Sequence, residues 1–214
     1  MRKITDIYDE YKIINNLREH QMRVAAVAMQ ICESMGIIVG TENIVKACLV
    51  HDLGNIIKAD LAYFPEFLEP EGYDYWKKVQ DEFKEKYGEN EHEATLHIVI
   101  QIGMGVVIRD IVSLIGYPYV EMAANTKDFN IKIATYADFR VGPYGVLTVE
   151  ERAEEGRKRY EGKKNDVTDE ERILKQKYIK ELENQIFAHL NFKPEDINDD
   201  SIAPYIEKVK NFEL

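Results

Sequence analysis

Four residues in three separate segments carry side chains that divalent metals prefer as ligands. His20 lies in NLREHQMRVAAVAMQICE, the adjacent pair His51 and Asp52 in KACLVHDLGNI, and Asp138 in IKIATYADFRVGP. Mixed imidazole and carboxylate ligands suit manganese, iron, cobalt, nickel or zinc, and carboxylates also bind magnesium. Taken singly, each residue also fits a hydrogen-bonded position in a core or at a helix end. Together they predict one metal site with positions left open for water and substrate.

Three amphipathic helices are predicted to direct these four residues inward. The apolar stripes are His20, Val24, Val27, Ala28 and Ile31 in the first helix; Ile44, Cys48 and His51 in the second; and Ile131, Ala134 and Asp138 in the third. We expect Thr41 to be the N-cap of the second helix and Gly54 to end it. Asp52 would then lie at the negative end of the helix dipole, a conflict that a bound cation removes.

Helical periodicity also dominates the rest of the chain, and strand patterns are nearly absent. Residues 58–73, rich in proline and aromatic residues, are predicted to form a loop that could cover a site. A helix with Trp76, Val79, Phe83 and Tyr87 on one face follows and ends before Gly88. Other predicted features are a capping box at Asn90 and Glu93, an inner stripe of His92, Leu96, Val99, Ile100 and Gly103, a short helix near 105–115, capping boxes at Thr148/Glu151 and Thr168/Glu171, and a stripe of Leu174, Tyr178, Leu182 and Ile186.

Composition and charge limit the class of protein. Hydrophobic residues make up 45% of the 214 residues, enough for one well-filled core. The 28 basic and 39 acidic residues give a net charge of −11, which argues against nucleic acid or an anionic membrane as partner and favours a small substrate. The apolar stretches are far shorter than the ~20 residues of a membrane span, and no secretory signal is readable, so we expect a cytoplasmic location. Cys32 and Cys48 form no CxxC pair and are predicted to lie in the core.

The three metal-ligand segments, taken together and in this order, resemble the HD superfamily of metal-dependent phosphohydrolases. In that family a histidine, a His-Asp dyad after an apolar helical run and a distant aspartate bind the metal; the matching residues are His20, His51, Asp52 and Asp138. The resemblance implies an all-α fold, a single-domain HD-type helical bundle over 1–214. Its core is about 15–142, and 143–214 form a charged helical C-terminal extension.

The resemblance also bears on a second metal. Dinuclear subfamilies add two histidines between the dyad and the last aspartate, and His92 matches the first of them. The segment RDIVSLIGYPYV, where the second is expected, has no histidine. We therefore expect a mononuclear or partly dinuclear site in which His92 acts as a proton donor, a phosphate contact or a second-metal ligand. The alternative is that His92 only hydrogen-bonds locally at a helix start.

Several residues near the ligands are candidates for substrate contacts. The family often has lysine where this chain has Asn55, so Asn55 departs from the HDIGK pattern. Arg23, Asn55 and Lys58 are predicted to contact phosphate, with Arg140 as a further candidate, although each also fits a solvated surface position. Aromatic residues that could stack on a nucleobase, or simply pack a short helix, are Tyr63, Phe64, Tyr73, Tyr75 and Trp76.

The remaining histidines give little evidence of a functional site. The run HEATLH places His97 five residues after His92, on a different face of a helix, so it is not a zincin HExxH motif, and His189 is a lone tail histidine.

The resemblance implies hydrolysis of a phosphomonoester or phosphoanhydride, with a nucleotide as one candidate substrate. A divalent metal would polarise the phosphoryl oxygen and activate a water that Asp52 orients, with Asp52 and His92 as the catalytic residues. The alternative is an inactive HD module that binds a nucleotide or metal in a regulatory role. Asn55 and the missing second histidine favour that alternative slightly.

Overall fold

The computed structural model describes residues 2–163 and 166–214 and is built from α-helices. The helices are α1 (Ile4–Glu10), α2 (Asn15–Ser34), α3 (Thr41–Val50), α4 (Tyr73–Tyr87), α5 (Glu91–Gln101), α6 (Val106–Val112), α7 (Val120–Asn125), α8 (Phe129–Asp138), α9 (Val149–Tyr160), α10 (Asp169–Phe187) and α11 (Asp199–Lys210). Extended pairing in the described residues is limited to two isolated bridges, Lys3 with Glu213 and Val141 with Val146. The predicted all-α class is confirmed. Among these helices, none is both long and apolar enough to cross a membrane.

Helix α2 is the centre of the packing. It contacts α3 on one side, α8 on another and α11 on a third. Its middle carries small apolar side chains, and the run from Val24 to Ala28 is completely buried. Small side chains let neighbouring helices approach closely. Three of the helices in this arrangement, α2, α3 and α8, are those predicted to carry metal ligands.

The start of α3 and the turn after it differ from the sequence prediction. Thr41 is the first helical residue and Gly40 is the cap, so the assignment of Thr41 as N-cap is wrong by one residue. The helix ends at Val50, before Gly54, which has right-handed backbone angles and begins a short 3-10 turn over Asn55–Lys58. Gly54 therefore does not end the helix.

Gly54 is instead the point where the chain touches α5. A Cβ atom on Gly54 would lie 2.5 Å from the carbonyl oxygen of Glu91 and 2.8 Å from the nitrogen of Thr95. The Gly54 amide donates to the Thr95 hydroxyl at 2.9 Å, and that hydroxyl donates to the Glu91 carbonyl at 2.9 Å. Close backbone approach is a requirement that only glycine meets.

The predictions for α4 and α5 hold in part. Trp76, Val79, Phe83 and Tyr87 are buried, and α4 ends at Gly88 as expected. Asn90 caps α5 by accepting from the amides of His92 and Glu93, but the return bond of a capping box is not formed. The buried stripe of α5 is Ala94, Thr95, Ile98 and Val99, whereas Ile100 is 52% exposed. The predicted stripe was wrong because apolar residues occur on several sides of this short helix. The predicted loop contains a short 3-10 turn, Pro65–Leu68.

The charged C-terminal part packs against the rest of the protein. Helix α10 contacts α7 and α8, and α11 contacts α2. Thr148 and Glu151 form a complete capping box, whereas Thr168 only accepts from the Glu171 amide. Leu174 is 46% exposed, so its place in the predicted stripe is wrong. The buried hydrophobic residues form one cluster that includes both Ile4 and Val209. The division into a core and an extension stays a prediction.

A buried arginine connects α8 to this C-terminal part. Arg140 is 1% exposed and donates to the carbonyl oxygens of Leu147, Pro194 and Ile197, and also to the Tyr136 hydroxyl at 2.8 Å. That hydroxyl donates in turn to Glu183 of α10 at 2.8 Å. A buried cation is tolerated only when its donors are satisfied, as they are here. These bonds favour a structural role for Arg140 over the phosphate contact considered from sequence.

The close approach at Gly54 generates a prediction about stability. We expect Gly54→Ala to lower the free energy of unfolding by about 1–3 kcal/mol or more, since the new methyl group meets backbone atoms of α5 that cannot move aside cheaply. Urea unfolding followed by circular dichroism measures the change. The matched control is Gly156→Ala inside α9, where the added Cβ meets only ordinary contacts. That control should raise stability by about 0.5–1 kcal/mol. Equal effects of the two substitutions would contradict the packing described here.

Candidate metal centre

Three helix segments bring the predicted ligands to one place. His20 comes from the first half of α2, His51 is the C-cap of α3, Asp52 is in the turn that follows, and Asp138 is the last residue of α8. Because α2 packs on both α3 and α8, the ends of those two helices lie near His20. Residues far apart in sequence thus become neighbours.

The distances between the ligand atoms are short. One ligand atom from each of His20, His51 and Asp52 lies within 4.8 Å of the other two. An oxygen of Asp138 lies 3.2 Å from the Nε2 atom of His20 and 3.4 Å from the Nε2 atom of His51. An oxygen of Asp52 lies 3.9 Å and 3.7 Å from the same two nitrogens. Ligands that share one ion at bond lengths of ~2.0–2.2 Å have separations of this size.

The His51 ring shows that this group of residues fits a cation. Its Nδ1 atom is 2.7 Å from the Cys48 carbonyl oxygen, and since a carbonyl only accepts, Nδ1 carries the proton. The Nε2 lone pair therefore points at the carboxylates, and Nε2 is buried with no hydrogen-bond partner among the described residues. A buried polar atom without a partner is costly. A metal ion bound by the two imidazoles and two carboxylates would satisfy it.

The charges of the site reinforce each other. Burial by itself would lower the pKa of His51, but the nearby Asp52 and Asp138 carboxylates raise it to about 9. Burial would also raise the pKa of Asp138, but the hydrogen bond from His20 and the positive charges of His51 and His20 hold it well below its usual range. Asp138 is thus ionised at neutral pH. The site strongly favours positive charge at its centre, whether from a proton or from a divalent cation.

Two amides hold Asp52, and sequence analysis identified one of them. Asn55 donates from its side-chain nitrogen to an Asp52 oxygen at 2.6 Å. Gln21, completely buried on α2, accepts from the Asp52 backbone amide at 3.2 Å, and its own side-chain nitrogen has no partner among the described residues. A polar residue at a buried position next to His20 was the signal for Gln21, and it was missed.

Lys58 and His92 lie beside this centre. Lys58 pairs with Glu91 at 3.0 Å. Partial burial would lower the pKa of Lys58, but Asp52 and Glu91 outweigh it and raise the pKa. His92 is half-buried and its ring packs on the ring of Tyr119, with centroids 4.7 Å apart. Partial burial lowers the pKa of His92, although the Ser113 backbone and Glu91 act in the opposite direction.

The other residues predicted to contact the substrate are not among the groups of the metal centre. Arg23 pairs with Glu19 at 2.9 Å in a groove between α2 and α11, so its phosphate contact stays a prediction. Tyr63 and Phe64 pack with Phe67 and Tyr144, and Trp76 donates to the Leu68 carbonyl, as packing residues do. The remaining residues that we considered are surface or packing groups: Tyr73, Tyr75 and His97 are exposed, and His189 packs on Phe129.

Comparison with known proteins finds one family that part of the chain resembles. The family model of the HD domain matches residues 17–101, the segment that contains His20, His51 and Asp52. No curated protein and no solved structure shows significant similarity to the chain. Residues 17–101 are thus similar to an HD domain, a family whose members are generally metal-dependent phosphohydrolases. The all-α fold and the group of His20, His51 and Asp52 agree with this match. Asp138 lies beyond the matched segment, and its place beside His20 and His51 is known from the fold.

The first prediction from this site concerns stability. Adding zinc or manganese to chelator-treated protein should raise the melting temperature, because the ion binds the folded cluster and not the unfolded chain. At a free concentration of ~100 times the dissociation constant, the gain approaches ~2.7 kcal/mol. Asp138→Asn should lose most of the metal-dependent rise, since the variant lacks a charged ligand. An unchanged melting curve for the parent after confirmed metal removal would contradict a metal centre.

The second prediction concerns the Gln21 amide. Gln21→Met keeps the side-chain volume but removes the acceptor that holds the Asp52 backbone, so metal affinity should fall by about 10–100-fold, as is usual for residues that orient ligands. Titration calorimetry with zinc measures the affinity. The control is Gln30→Met on the same helix, because Gln30 accepts a hydrogen bond from Ser201 of α11 and does not bond to the site. The prediction fails if both variants bind zinc like the parent.

Proposed function

We propose that this protein is a metal-dependent phosphohydrolase that hydrolyses a phosphomonoester or phosphoanhydride, with a nucleotide as a candidate substrate. The observation that carries the proposal is the buried Nε2 atom of His51, which has no hydrogen-bond partner among the described residues and faces two carboxylates and the ring of His20. The match of residues 17–101 to the HD domain supports hydrolysis as the reaction. The ligand set proposed is His20, His51, Asp52 and Asp138.

A divalent metal bound there would supply Lewis acidity for the phosphoryl oxygen and lower the pKa of water. The protein would supply the positioning. Asp52, held by Asn55 and by Gln21, is suited to orient a water molecule toward phosphorus by accepting one of its protons in a hydrogen bond. Both holding groups are neutral amides, so they orient Asp52 without adding charge beside it.

Lys58 is proposed as the phosphate-binding cation. Its side chain is one-third exposed, and it lies close enough to Asp52 to be affected by that charge. The pairing with Glu91 is at the surface, where an ion pair contributes little and can open readily. A dianionic phosphate could therefore compete for Lys58. In this chain Lys58 would take over a role of the lysine that many relatives have at the position of Asn55.

His92 is proposed to exchange a proton with the leaving group or the phosphate. It lies on α5, whose contact with Gly54 fixes α5 relative to the turn that carries Asp52. With its pKa lowered by burial, His92 is mainly neutral at pH 7 before substrate binds. The negative charge of an approaching phosphate favours the imidazolium form, so the proton would be gained together with the substrate.

The second candidate is a regulatory HD module that binds a nucleotide or metal without turnover. Two observations favour it: Asn55 is engaged with Asp52 in place of a lysine, and the segment RDIVSLIGYPYV has no second histidine. Under either proposal the partner is a small phosphorylated molecule and not nucleic acid, because the net charge is −11 and the positive charge is local.

Activity of the parent protein separates the two proposals, and a substitution on α5 tests the role of His92. We expect the purified protein to hydrolyse p-nitrophenyl phosphate or a nucleotide in a screen with manganese, cobalt, nickel, zinc and magnesium. His92→Ala should keep one metal per chain while the rate per bound metal falls by about 10²–10⁴-fold. His97→Ala is the matched control, since His97 is exposed on the same helix.

Two outcomes of this experiment would change the proposal. A parent that binds metal but hydrolyses no phosphate ester or anhydride favours the regulatory module. An active parent whose His92→Ala variant is equally active keeps the hydrolase and removes His92 from the catalytic set.

A further inference from the structure

The ring that packs on His92 comes from a segment that sequence analysis left without a function. Tyr119 ends a short 3-10 turn, Tyr117–Tyr119, just before α7. Its ring lies 4.7 Å from that of His92, with an angle of 36° between the two planes. Both side chains are partly buried. The two rings are therefore packed face against face at a tilt.

The local backbone holds Tyr119 in place. Gly116, directly before the turn, has a φ angle of 129°, a value that side-chain-bearing residues rarely adopt. Pro118 restricts the backbone within the turn. Val120, directly after Tyr119, is completely buried. The Tyr119 ring is thus presented by a segment with little freedom to move.

The surroundings of His92 place the pair beside the metal centre. The groups that act on the charge of His92 are Glu91 on its own helix, Lys58 and Asp52 from the turn region, and the Ser113 backbone from the end of α6. Lys58 pairs with Glu91, the residue next to His92. Lys58 and Asp52 are thus close enough to act on the charge of His92, whose ring packs on Tyr119.

The phenol of Tyr119 lies in the segment where a second imidazole ligand was expected, and it restricts the His92 ring. The segment 109–120 offers tyrosines where a second imidazole ligand was expected. A tyrosine has a pKa of ~10 and stays protonated at neutral pH, so it is a poor ligand for a divalent ion. One face of the His92 ring is covered by Tyr119, which limits rotation of the ring, and its edge nitrogens remain available for hydrogen bonds.

We propose that Tyr119 is a positioning residue for His92, which holds the imidazole beside Lys58 for contact with the substrate. This inference rests on the proposed hydrolase function for its kinetic part only. The packing of the two rings and the number of metals per chain can be tested without any activity.

The test compares Tyr119→Ala, Tyr119→Phe and the neighbouring Tyr117→Ala with the parent. In zinc-loaded, ¹⁵N-histidine-labelled protein, the His92 signal is assigned by its loss in His92→Ala. Tyr119→Ala should shift this signal and raise the pKa of His92 toward its ordinary value, since the ring that shields it from water is gone. Tyr119→Phe should restore both properties, and Tyr117→Ala should leave them as in the parent. Each variant should bind the same single zinc ion.

The kinetic arm uses p-nitrophenyl phosphate with manganese. Tyr119→Ala should lower kcat by about 10-fold with a smaller change in KM, and Tyr119→Phe should return kcat to near the parent value. An unshifted His92 signal in Tyr119→Ala overturns the proposal, and so does a second metal ion that is lost in His92→Ala. If the parent hydrolyses no phosphate compound, the hydrolase proposal fails, and the His92 signal and the metal count still decide whether Tyr119 positions His92.

Discussion

The fold depends on one constraint, the meeting of two imidazoles and two carboxylates in a partly buried space between α2, α3 and α8. Bringing carboxylates together inside a protein is unfavourable unless positive charge lies between them. Here the His51 nitrogen has no partner among the described residues and faces both carboxylates. The helices must pack closely enough to bring these groups together, and the run of small side chains in the middle of α2 allows that approach. Helix packing and the chemistry of the site are therefore one requirement.

A second layer of neutral groups fixes the ligands in orientation. The Cys48 carbonyl sets the tautomer of His51, Gln21 holds the backbone of Asp52, and Asn55 holds its carboxylate. The same turn is joined to α5 through Gly54 and Thr95, so the helix that carries His92 is placed by the turn that carries Asp52. These contacts orient the candidate ligands and bring no additional charge to the centre. The charge of the centre comes from the four candidate ligands themselves.

The C-terminal part contributes to the site at a distance. Arg140 is two residues beyond Asp138, and its guanidinium joins the end of α8 to segments near 194–197 and, through Tyr136, to Glu183 of α10. Asp138 is thus held at a helix end that the C-terminal helices secure. Although this region is highly charged in sequence, it is joined to α8 by a few buried polar contacts, those of Arg140 and Glu183. The C-terminal part contains no candidate ligand, yet through Arg140 it helps to fix the position of Asp138.

Sequence alone predicted the helical class and that His20, His51, Asp52 and Asp138 point inward from three helical segments, because helical periodicity identifies the buried face of a helix. It also predicted that His92 lies in the first turn of α5. It could not predict that Gly54 serves a close approach of α5, that Gln21 holds Asp52, that Arg140 is structural, or that Tyr119 packs on His92. Each of these depends on a partner from a distant segment, and local periodicity contains no information about which segments meet. Only the packing of the helices determined those partners, because close packing and the satisfaction of buried polar groups are properties of the whole fold.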